Sequence, residues 1–279
     1  MKQSFSVLIG LIVLIMLSGC SLLKRKYIRE VKEGLERTAS PTDTLVTMSD
    51  LDHLPLPVRK YLILAGVLNK SKIRNFKVTF EGKLRQDSNS PWMKFSSVQY
   101  NFMDVPTRLF YMKAIMKGLP VRGFHCFKDG SAFMDIRLFS LFKVQYQKGP
   151  EMNVSETVTF FNDMCCLAPA TLIDKNIQWT SINDSTVKAN FTHNKITISA
   201  ELYFNKEGEL VDFISENRYA LQKDGSMKRL RWSTPLKDYK IIHAHRLPGY
   251  AETIYAYPEG NFCYGVFNIV DVEYNCKKK

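Results

Sequence analysis

The stretch KITISAELYF, residues 195–204, alternates apolar and polar side chains without a break. Its even positions, from Ile196 to Phe204, are apolar, and its odd positions, from Lys195 to Tyr203, carry polar atoms. Successive side chains of a strand point to opposite faces, so this pattern predicts a β-strand with one buried and one solvated face. Strands of this kind are typical of antiparallel sheets.

The same pattern recurs along most of the chain. The segment FKVTFEGKL, residues 76–84, places Phe76, Val78, Phe80 and Leu84 on one face. Turn signals separate the runs, namely Asp129-Gly130, Glu207-Gly208, Asp224-Gly225 and Glu259-Gly260. The spacing predicts about a dozen strands, without the strand–helix alternation of a parallel sheet. It fits a sandwich, a barrel or a long meander.

One predicted strand differs because it is apolar on both faces. TRLFYMKAIM, residues 107–116, carries Leu, Tyr and Ile on one face and Phe and two Met on the other. A strand of this composition is covered on both sides. We expect two helices to provide the cover, one over residues 57–65 and the other over residues 154–165.

Two N-terminal segments have the 3.6-residue period of helices. LPLPVRKYLILAG, residues 54–66, has Pro57 where a first helical turn accepts it and Gly66 where a helix ends. KRKYIREVKEGLERT, residues 24–38, is charged around a narrow apolar stripe. This second helix could dock on the body of the protein or extend as a stalk.

A third helical segment contains two adjacent cysteines. VTFFNDMCCLAPA, residues 158–170, continues a helix that Asn153 is expected to cap, with Glu156 three residues further on. A catalytic thiol needs a nearby base and a lowered pKa, and neighbouring helical residues point about 100° apart, which suits no shared metal. We therefore interpret the segment as packed helix. Asn162 and Asp163 are expected to bond to backbone near its end.

The N-terminus has the layout of a bacterial secretory signal. Residues 1–19 contain one Lys and a long apolar run. The following LSGC, residues 17–20, resembles a lipobox, the motif at which a signal peptide is removed and lipid is attached to the Cys. We predict a lipidated Cys20 and a body that faces the periplasm. A single membrane-spanning helix over residues 5–23 is the alternative, since about 20 apolar residues cross a bilayer.

These signals divide the chain into a signal peptide at 1–19, a lipidated Cys with a charged helix and linker at 20–50, and one β-rich domain at 51–279. The net charge of +12 suits a membrane surface or an anionic ligand. Nucleic acid is not an expected partner, because the basic residues are dispersed and no binding motif occurs. Five cysteines remain after lipidation, an odd number that forms no disulfide framework.

Two groups of polar residues are candidates for a metal site or for acid–base catalysis. His243 and His245 would share one face of a strand and could ligate a metal if a third ligand converged. Asp212, Glu216 and Arg218 would also share a face and could combine an acid with a base. A polar strand end and an ion-pair ladder are the simpler interpretations. Because no known catalytic or cofactor motif occurs, we predict no metal and no cofactor, and we favour a protein that is not an enzyme.

Three segments resemble an uncharacterised bacterial family. LPLPVRKYL, FFNDMCCLAPA and RWSTPLKDY match its L-P-x-P-V-x-x-Y-L, N-D-M-x-x-x-A-P-A and W-S-T-P segments, and the resemblance spans roughly residues 54–275. It implies a single domain and no assigned catalytic residue.

The order of predicted elements is also similar to that of periplasmic lipid and lipoprotein carriers of the Lol type. In those proteins a curved, incomplete barrel encloses an apolar cavity under a helical lid, although a shared fold does not by itself imply a shared function. We therefore predict a mainly antiparallel β fold, a curved sheet or incomplete β-barrel of about a dozen strands. N-terminal helices and one inserted helix would cover it.

The leading functional hypothesis is a membrane-tethered lipoprotein whose body binds a hydrophobic or acyl-bearing ligand. The chain has 18 Phe and 11 Met, which make adaptable walls for such a ligand. The alternatives are an envelope scaffold with a filled core and a hydrolase with unrecognised acidic residues. The candidate ligand contacts are Phe110, Met112, Met116, Ile198, Leu202 and Phe204, with Arg229 and Arg231 for an anionic head group.

Overall fold

The computed structural model describes residues 22–40 and 44–278. The predicted signal peptide at 1–19, the predicted lipidation site Cys20 and residues 41–43 of the predicted linker lie outside the described residues. No helix in the described part of the chain combines the length and the apolar composition needed to cross a membrane.

The described residues form three α-helices and sixteen strands. The helices are α1 (22–37), α2 (Leu56–Leu64) and α3 (Pro150–Leu167), with short 3-10 helices at Met48–Leu51 and Pro169–Ile173. The first strands are β1 (Asn75–Leu84), β2 (Met93–Phe102), β3 (Thr107–Met116), β4 (Leu119–Lys128), β5 (Ser131–Leu138) and β6 (Phe142–Lys148). After α3 come β7 (Ile177–Asn183), β8 (Thr186–His193), β9 (Ile196–Phe204), β10 (Leu210–Leu221), β11 (Met227–Ser233), β12 (Leu236–Lys237), β13 (Lys240–Ile242), β14 (His245–Leu247), β15 (Tyr250–Tyr257) and β16 (Gly260–Tyr274).

Fourteen of these strands form one antiparallel sheet. Thirteen follow the order β6-β5-β4-β3-β2-β1-β16-β15-β11-β10-β9-β8-β7, β12 pairs with β15 beside this path, and β13 and β14 form a separate pair. The sheet curls into a half-barrel, as expected when strand twist accumulates over many strands. The long strand β16 pairs with both β1 and β15 and so joins the N-terminal and C-terminal halves of the sheet. The predicted fold class is confirmed.

Helix α3 lies across the concave face of the half-barrel, where it contacts strands near both ends of the sheet order, β4–β6 and β9–β10. On one side its contact is a solid aromatic core. Phe161 stacks on Phe191 of β8 with ring centroids 5.2 Å apart, and it meets Phe213 of β10 edge-on at 5.7 Å. The alternating strand β9 adds Ile198 and Leu202, both buried. The periodicity of residues 195–204 therefore predicted its buried face correctly.

Strand β3 is covered on both faces, as predicted, but the expected cover was partly wrong. Its outer face is covered by α1, whose Tyr27 stacks on Tyr111 at 5.1 Å beside the buried Leu109. Its inner face looks toward α3. Helix α2 lies elsewhere, where Tyr61 packs on Phe204 of β9 at 5.7 Å. The charged N-terminal helix docks because Leu23, Tyr27, Val31 and Leu35 form a continuous apolar stripe.

The start of α3 also differs from the prediction. The helix begins at Pro150, directly after Gly149 at φ +122°, and not at Asn153. Proline suits a first helical turn because its φ is already helical and its missing N–H has no partner to lose there. Asn153 instead accepts the backbone N–H of Ala132 in β5 at 2.8 Å and ties the helix to the sheet.

The end of α3 is held by tyrosines from two other elements. The hydroxyl of Tyr61 in α2 donates to the carbonyl of Cys165 at 2.8 Å, and that of Tyr274 in β16 donates to the carbonyl of Leu167. The last carbonyls of a helix have no partner within the helix, so these hydroxyls satisfy buried acceptors. The cysteine segment is packed helix, as predicted.

Replacement of Ile198 by Trp tests whether this part of the interior is filled. Because Ile198 is 1% exposed within the aromatic core, the larger ring should overpack it and lower the free energy of unfolding by about 1–3 kcal/mol. Thr197→Trp, on the solvated face of the same strand, is the matched control and should change stability much less. Urea unfolding of both variants measures the difference, and an unchanged midpoint for Ile198→Trp would reveal free space beside β9.

Candidate functional site

A cavity of about 230 Å³ lies between α3 and the inner face of the sheet. Its apolar lining comes from β1, β3–β5, α3, β11, β12, β15 and β16, and consists of Phe80, Leu84, Phe110, Met112, Phe124, Met134, Ile136, Leu167, Trp232, Leu236, Ala251, Phe267 and Ile269. An engineered apolar cavity of about 150 Å³ holds one benzene molecule. This cavity therefore has room for an aromatic ring or a short acyl segment.

Two of the predicted ligand contacts, Phe110 and Met112, line this cavity. Met116 lies at the far end of the same strand and is 40% exposed. Ile198 and Leu202 belong to the filled aromatic core beside β9. The cavity therefore lies beside β3. Strand β9, which was also expected to line it, lies in the packed part of the interior. The two strands are not paired, because β3 pairs with β2 and β4.

The remaining predicted contacts lie away from the cavity. Phe204 packs against α2. Arg229 and Arg231 are exposed on the outer face of β11, where Arg229 donates to the carbonyl of Glu216 and Arg231 lies 3.8 Å from the carboxylate of that residue. Trp232, the next residue along the strand, faces inward and lines the cavity.

One wall of the cavity is polar and centres on Asp163 of α3. Its Oδ2 accepts N–H donors from Gln99 at 2.8 Å, from Asn101 at 3.1 Å and from Arg108 Nε at 2.8 Å. All of these partners are buried and come from β2 and β3. The prediction that Asp163 bonds to nearby backbone was wrong: its carboxylate links the helix to the sheet. The amide of Asn162 lies 3.5 Å from the thiol of Cys166.

A second buried carboxylate, Glu156, lies two turns earlier on the same helix face. It is fully buried, and its Oε2 lies 3.4 Å from Arg108 Nη1 and 3.2 Å from His125 Nε2. Its Oε1 accepts the hydroxyl of Thr159 at 3.1 Å and lies 3.7 Å from Arg218 Nη1. Two carboxylates and two guanidiniums therefore balance one another within the polar wall.

Arg218 reaches this network because of a β-bulge. The register between β10 and β11 shifts between Ser215 and Arg218, so the side chain of Arg218 turns inward. Glu216 remains outside and is 63% exposed at its side chain. The predicted shared face of Asp212, Glu216 and Arg218 was therefore wrong, since strict alternation ends at the bulge. Arg218 also donates to the carbonyl of Ser155 at 2.9 Å.

The surroundings determine which groups of the wall are charged. Burial lowers the pKa of His125 to about 4, although the carboxylate of Glu156 opposes this shift. Burial would raise the pKa of Glu156, but His125, Arg108 and Arg218 outweigh it and lower that pKa. Burial raises the pKa of Asp163 against the opposing effect of Arg108. Because three N–H donors meet at one oxygen of Asp163, the arrangement is built for its anion.

The cysteines of α3 are not activated. Burial raises the pKa of both the Cys165 and the Cys166 thiols well above its usual value, and only a thiolate is a strong nucleophile. In the described ranges, no three His, Cys, Asp or Glu side chains converge on a possible metal position. His243 lies in the turn between β13 and β14, where its Nε2 is 2.8 Å from Asp271, while His245 packs against Tyr274.

The polar wall was not predicted from the sequence. On β2 the inward positions Ser97, Gln99 and Asn101 are polar, and their neighbours Val98 and Phe102 point outward. This pattern is typical of a strand with one solvent-exposed face. The available signal was that β2 lies next to a strand that is apolar on both faces, which places its polar side chains inside the protein.

The neutral state of His125 predicts a specific pH dependence of stability. Below pH 6.5 the unfolded chain takes up a proton on this residue, whereas the folded chain does so only near pH 4. As the pH is lowered between these two values, the free energy of unfolding therefore decreases by about 1.4 kcal/mol per pH unit for this one group. Urea unfolding between pH 6.5 and 5 should show this extra loss in the wild type and not in His125→Gln.

The other titrating groups are present in both proteins, so the difference between the two pH slopes isolates the contribution of His125. Burial raises the pKa of Asp212 to about 6, so this carboxyl stabilises the fold as the pH falls and opposes the effect of His125. It is present in both proteins. Identical pH slopes for wild type and His125→Gln would contradict the assignment of a neutral, buried imidazole.

Three solved structures resemble this fold at low sequence identity. An outer membrane lipoprotein-sorting protein domain from Vibrio parahaemolyticus is 9% identical, with a TM-score of 0.44 over 74% of this chain and 87% of that chain. A LolA superfamily protein from Nitrosomonas europaea is 10% identical, with a TM-score of 0.40 over 78% of this chain and 91% of that chain. A DUF1329 family protein from Desulfovibrio piger is 9% identical, with a TM-score of 0.37 over 85% of this chain and 96% of that chain.

Comparison with curated proteins finds no significant match. Comparison with protein families matches residues 44–267 to a family of unknown function, DUF6544. The match includes α2, α3 and most of the half-barrel, and it contains the polar wall and nearly all of the cavity lining. The chain therefore belongs to the family of unknown function DUF6544.

Proposed function

We propose that this protein is a membrane-anchored lipoprotein of the bacterial cell envelope whose half-barrel binds a hydrophobic or acyl-bearing ligand. The observation that carries the proposal is the cavity of about 230 Å³ beneath α3. Folded interiors are normally close-packed, and leaving a cavity unfilled lowers stability. A space of this size with aromatic, Met and Leu walls is therefore a candidate binding site.

The lining suits a flexible apolar ligand. Met112 of β3 and Met134 of β5 line the cavity from the two strands that flank β4, and methionine adapts its shape to what it contacts. Gly123 of β4 pairs with Met112 and with Ile136 and has no side chain of its own, so the space above it is bordered by the flexible methyl group of Met112. An acyl segment or ring placed there would contact apolar groups from β3, β4 and β5.

The chemistry of the polar wall does not favour catalysis. Glu156 and Asp163 are each paired with a guanidinium, and the pKa of His125 is too low for it to exchange protons readily near neutral pH. A binding protein needs no such exchange. The scaffold alternative, in which the body has no ligand, differs from this proposal in one measurable property, the uptake of an apolar probe.

Gly123→Leu should block the cavity without disrupting the sheet. A Cβ at this position would lie 3.3 Å from Met112 Cε and 3.8 Å from Ile136 Cγ1, and the methionine methyl group can move. The leucine side chain would then occupy the cavity. We expect the full-length variant, kept in solution by an amphipol, to bind the uncharged fluorescent probe N-phenyl-1-naphthylamine at least about tenfold more weakly than the wild type, the effect of losing roughly 1.4 kcal/mol.

Gly123→Ala is the matched control. It removes the same glycine and adds only a Cβ, so it should retain most of the probe binding and should not lower the melting temperature, because alanine is less costly than glycine in a strand. If the wild type binds no probe, the ligand-binding function is wrong and the scaffold alternative remains. If Gly123→Leu binds as well as Gly123→Ala, the ligand site lies elsewhere.

The proposed anchor is tested separately through Cys20. The LSGC segment at 17–20 and the basic residues that follow it support attachment to a membrane with anionic lipid. Cys20→Ser should abolish labelling by a radioactive fatty acid and should leave a larger, unprocessed chain. Wild-type size and membrane retention in the variant would instead favour a membrane-spanning helix. Protease added to intact cells should not digest the body if it faces the periplasm.

A further inference from the structure

We propose that the ligand carries an uncharged polar head group that donates a hydrogen bond to the side-chain carbonyl of Gln99. This inference rests on the proposed function and specifies its ligand class: a neutral amphiphile with a hydroxyl or amide N–H, and not a fatty acid anion. The observations that carry it are the hydrogen bonds and charges of the polar wall.

The charges of the wall are already matched. Arg108 lies between Asp163 and Glu156, and Arg218 lies beside Glu156. His125 adds no charge near neutral pH. A carboxylate or phosphate that entered the cavity would leave an uncompensated buried charge, which is strongly unfavourable.

Two polar atoms of the described residues that line the cavity have no partner, Gln99 Oε1 and Thr234 Oγ1. Eight buried side-chain N or O atoms in the described part of the chain make no well-formed hydrogen bond, and three of these belong to residues that line this one cavity: Gln99, Thr234 and His125, whose Nε2 lies 3.2 Å from the carboxylate of Glu156. Buried polar atoms are nearly always paired. Gln99 Oε1 and the Thr234 hydroxyl, which border the same cavity, therefore mark a place where a bound molecule supplies the missing partners.

Gln99 determines what kind of partner is required. Its amide nitrogen uses both N–H groups, one to Asn101 Oδ1 at 2.7 Å and one to Asp163 Oδ2 at 2.8 Å. This pairing fixes the orientation of the amide, so its unpartnered Oε1 can only accept. The hydroxyl of Thr234 can act as donor or acceptor, and His125 Nε2 already faces the carboxylate of Glu156. Gln99 is therefore the group that demands a donor from the ligand.

Three probes that differ only in the head group test this inference on the full-length wild type in amphipol. They are octan-1-ol, its isomer heptyl methyl ether, and octanoate, each used to displace N-phenyl-1-naphthylamine at pH 8, with empty amphipol as the blank. The alcohol and the ether contain the same atoms, but only the alcohol donates a hydrogen bond. We expect the alcohol to bind about fivefold or more tighter than the ether and octanoate to bind weakest.

The outcomes separate this inference from the function on which it rests. Equal affinity for alcohol and ether would overturn the donor requirement, and tightest binding of octanoate would overturn the neutral head group, yet both would leave an apolar binding site in place. Failure of all probes would overturn the binding function itself.

The variant Gln99→Met tests whether Gln99 is the residue that accepts the hydrogen bond of the ligand. It keeps the shape of the side chain and removes the acceptor, so it should bind alcohol and ether equally. A retained preference for the alcohol in the folded variant would show that another group accepts the hydrogen bond. Because Gln99 also donates to Asp163, the variant is informative only if its melting transition is intact. If the variant does not fold, the comparison of alcohol and ether in the wild type tests the donor requirement.

Discussion

The architecture depends on two carboxylates that are buried on one helix. Glu156 and Asp163 can lie inside the protein only because Arg108 and Arg218 reach them from the sheet. Desolvation makes such a network a poor source of net stability, and apolar replacements of buried ion pairs are often as stable. Loss of a single partner, however, costs about 3–5 kcal/mol. The network therefore acts as a positional constraint that fixes where α3 lies on the half-barrel.

The cavity follows from that constraint. On the side of β8–β10, rings such as Phe161 and Phe191 fill the space between helix and sheet. On the side of β3–β5, the helix presents its carboxylates, and these are held by arginine and amide groups that extend from the strands. Because the polar contacts hold the helix there, the apolar side chains that line this part of the interior leave a cavity of about 230 Å³. The same groups then form the polar end of the cavity.

Sequence periodicity predicted the one-sided strands, such as β9, because burial of one face imposes a period of two. It also predicted α3 as packed helix around Cys165. It failed where a contact depends on tertiary structure. The bulge that turns Arg218 inward breaks the alternation without a local signal, and the inward polar residues of β2 have the pattern of a solvated face. The helix begins at Pro150 rather than at the Asn153–Glu156 capping pattern, because Gly149 accepts a positive φ and proline suits a first helical turn.

Native mass spectrometry of the full-length protein, released gently from cell membranes, tests the central claim that this cavity holds an apolar ligand. The account predicts that the wild type retains one additional small, uncharged lipid-like molecule and that Gly123→Leu, which fills the space beside Met112, does not. A bare chain in both proteins, or the same adduct in both, would contradict it.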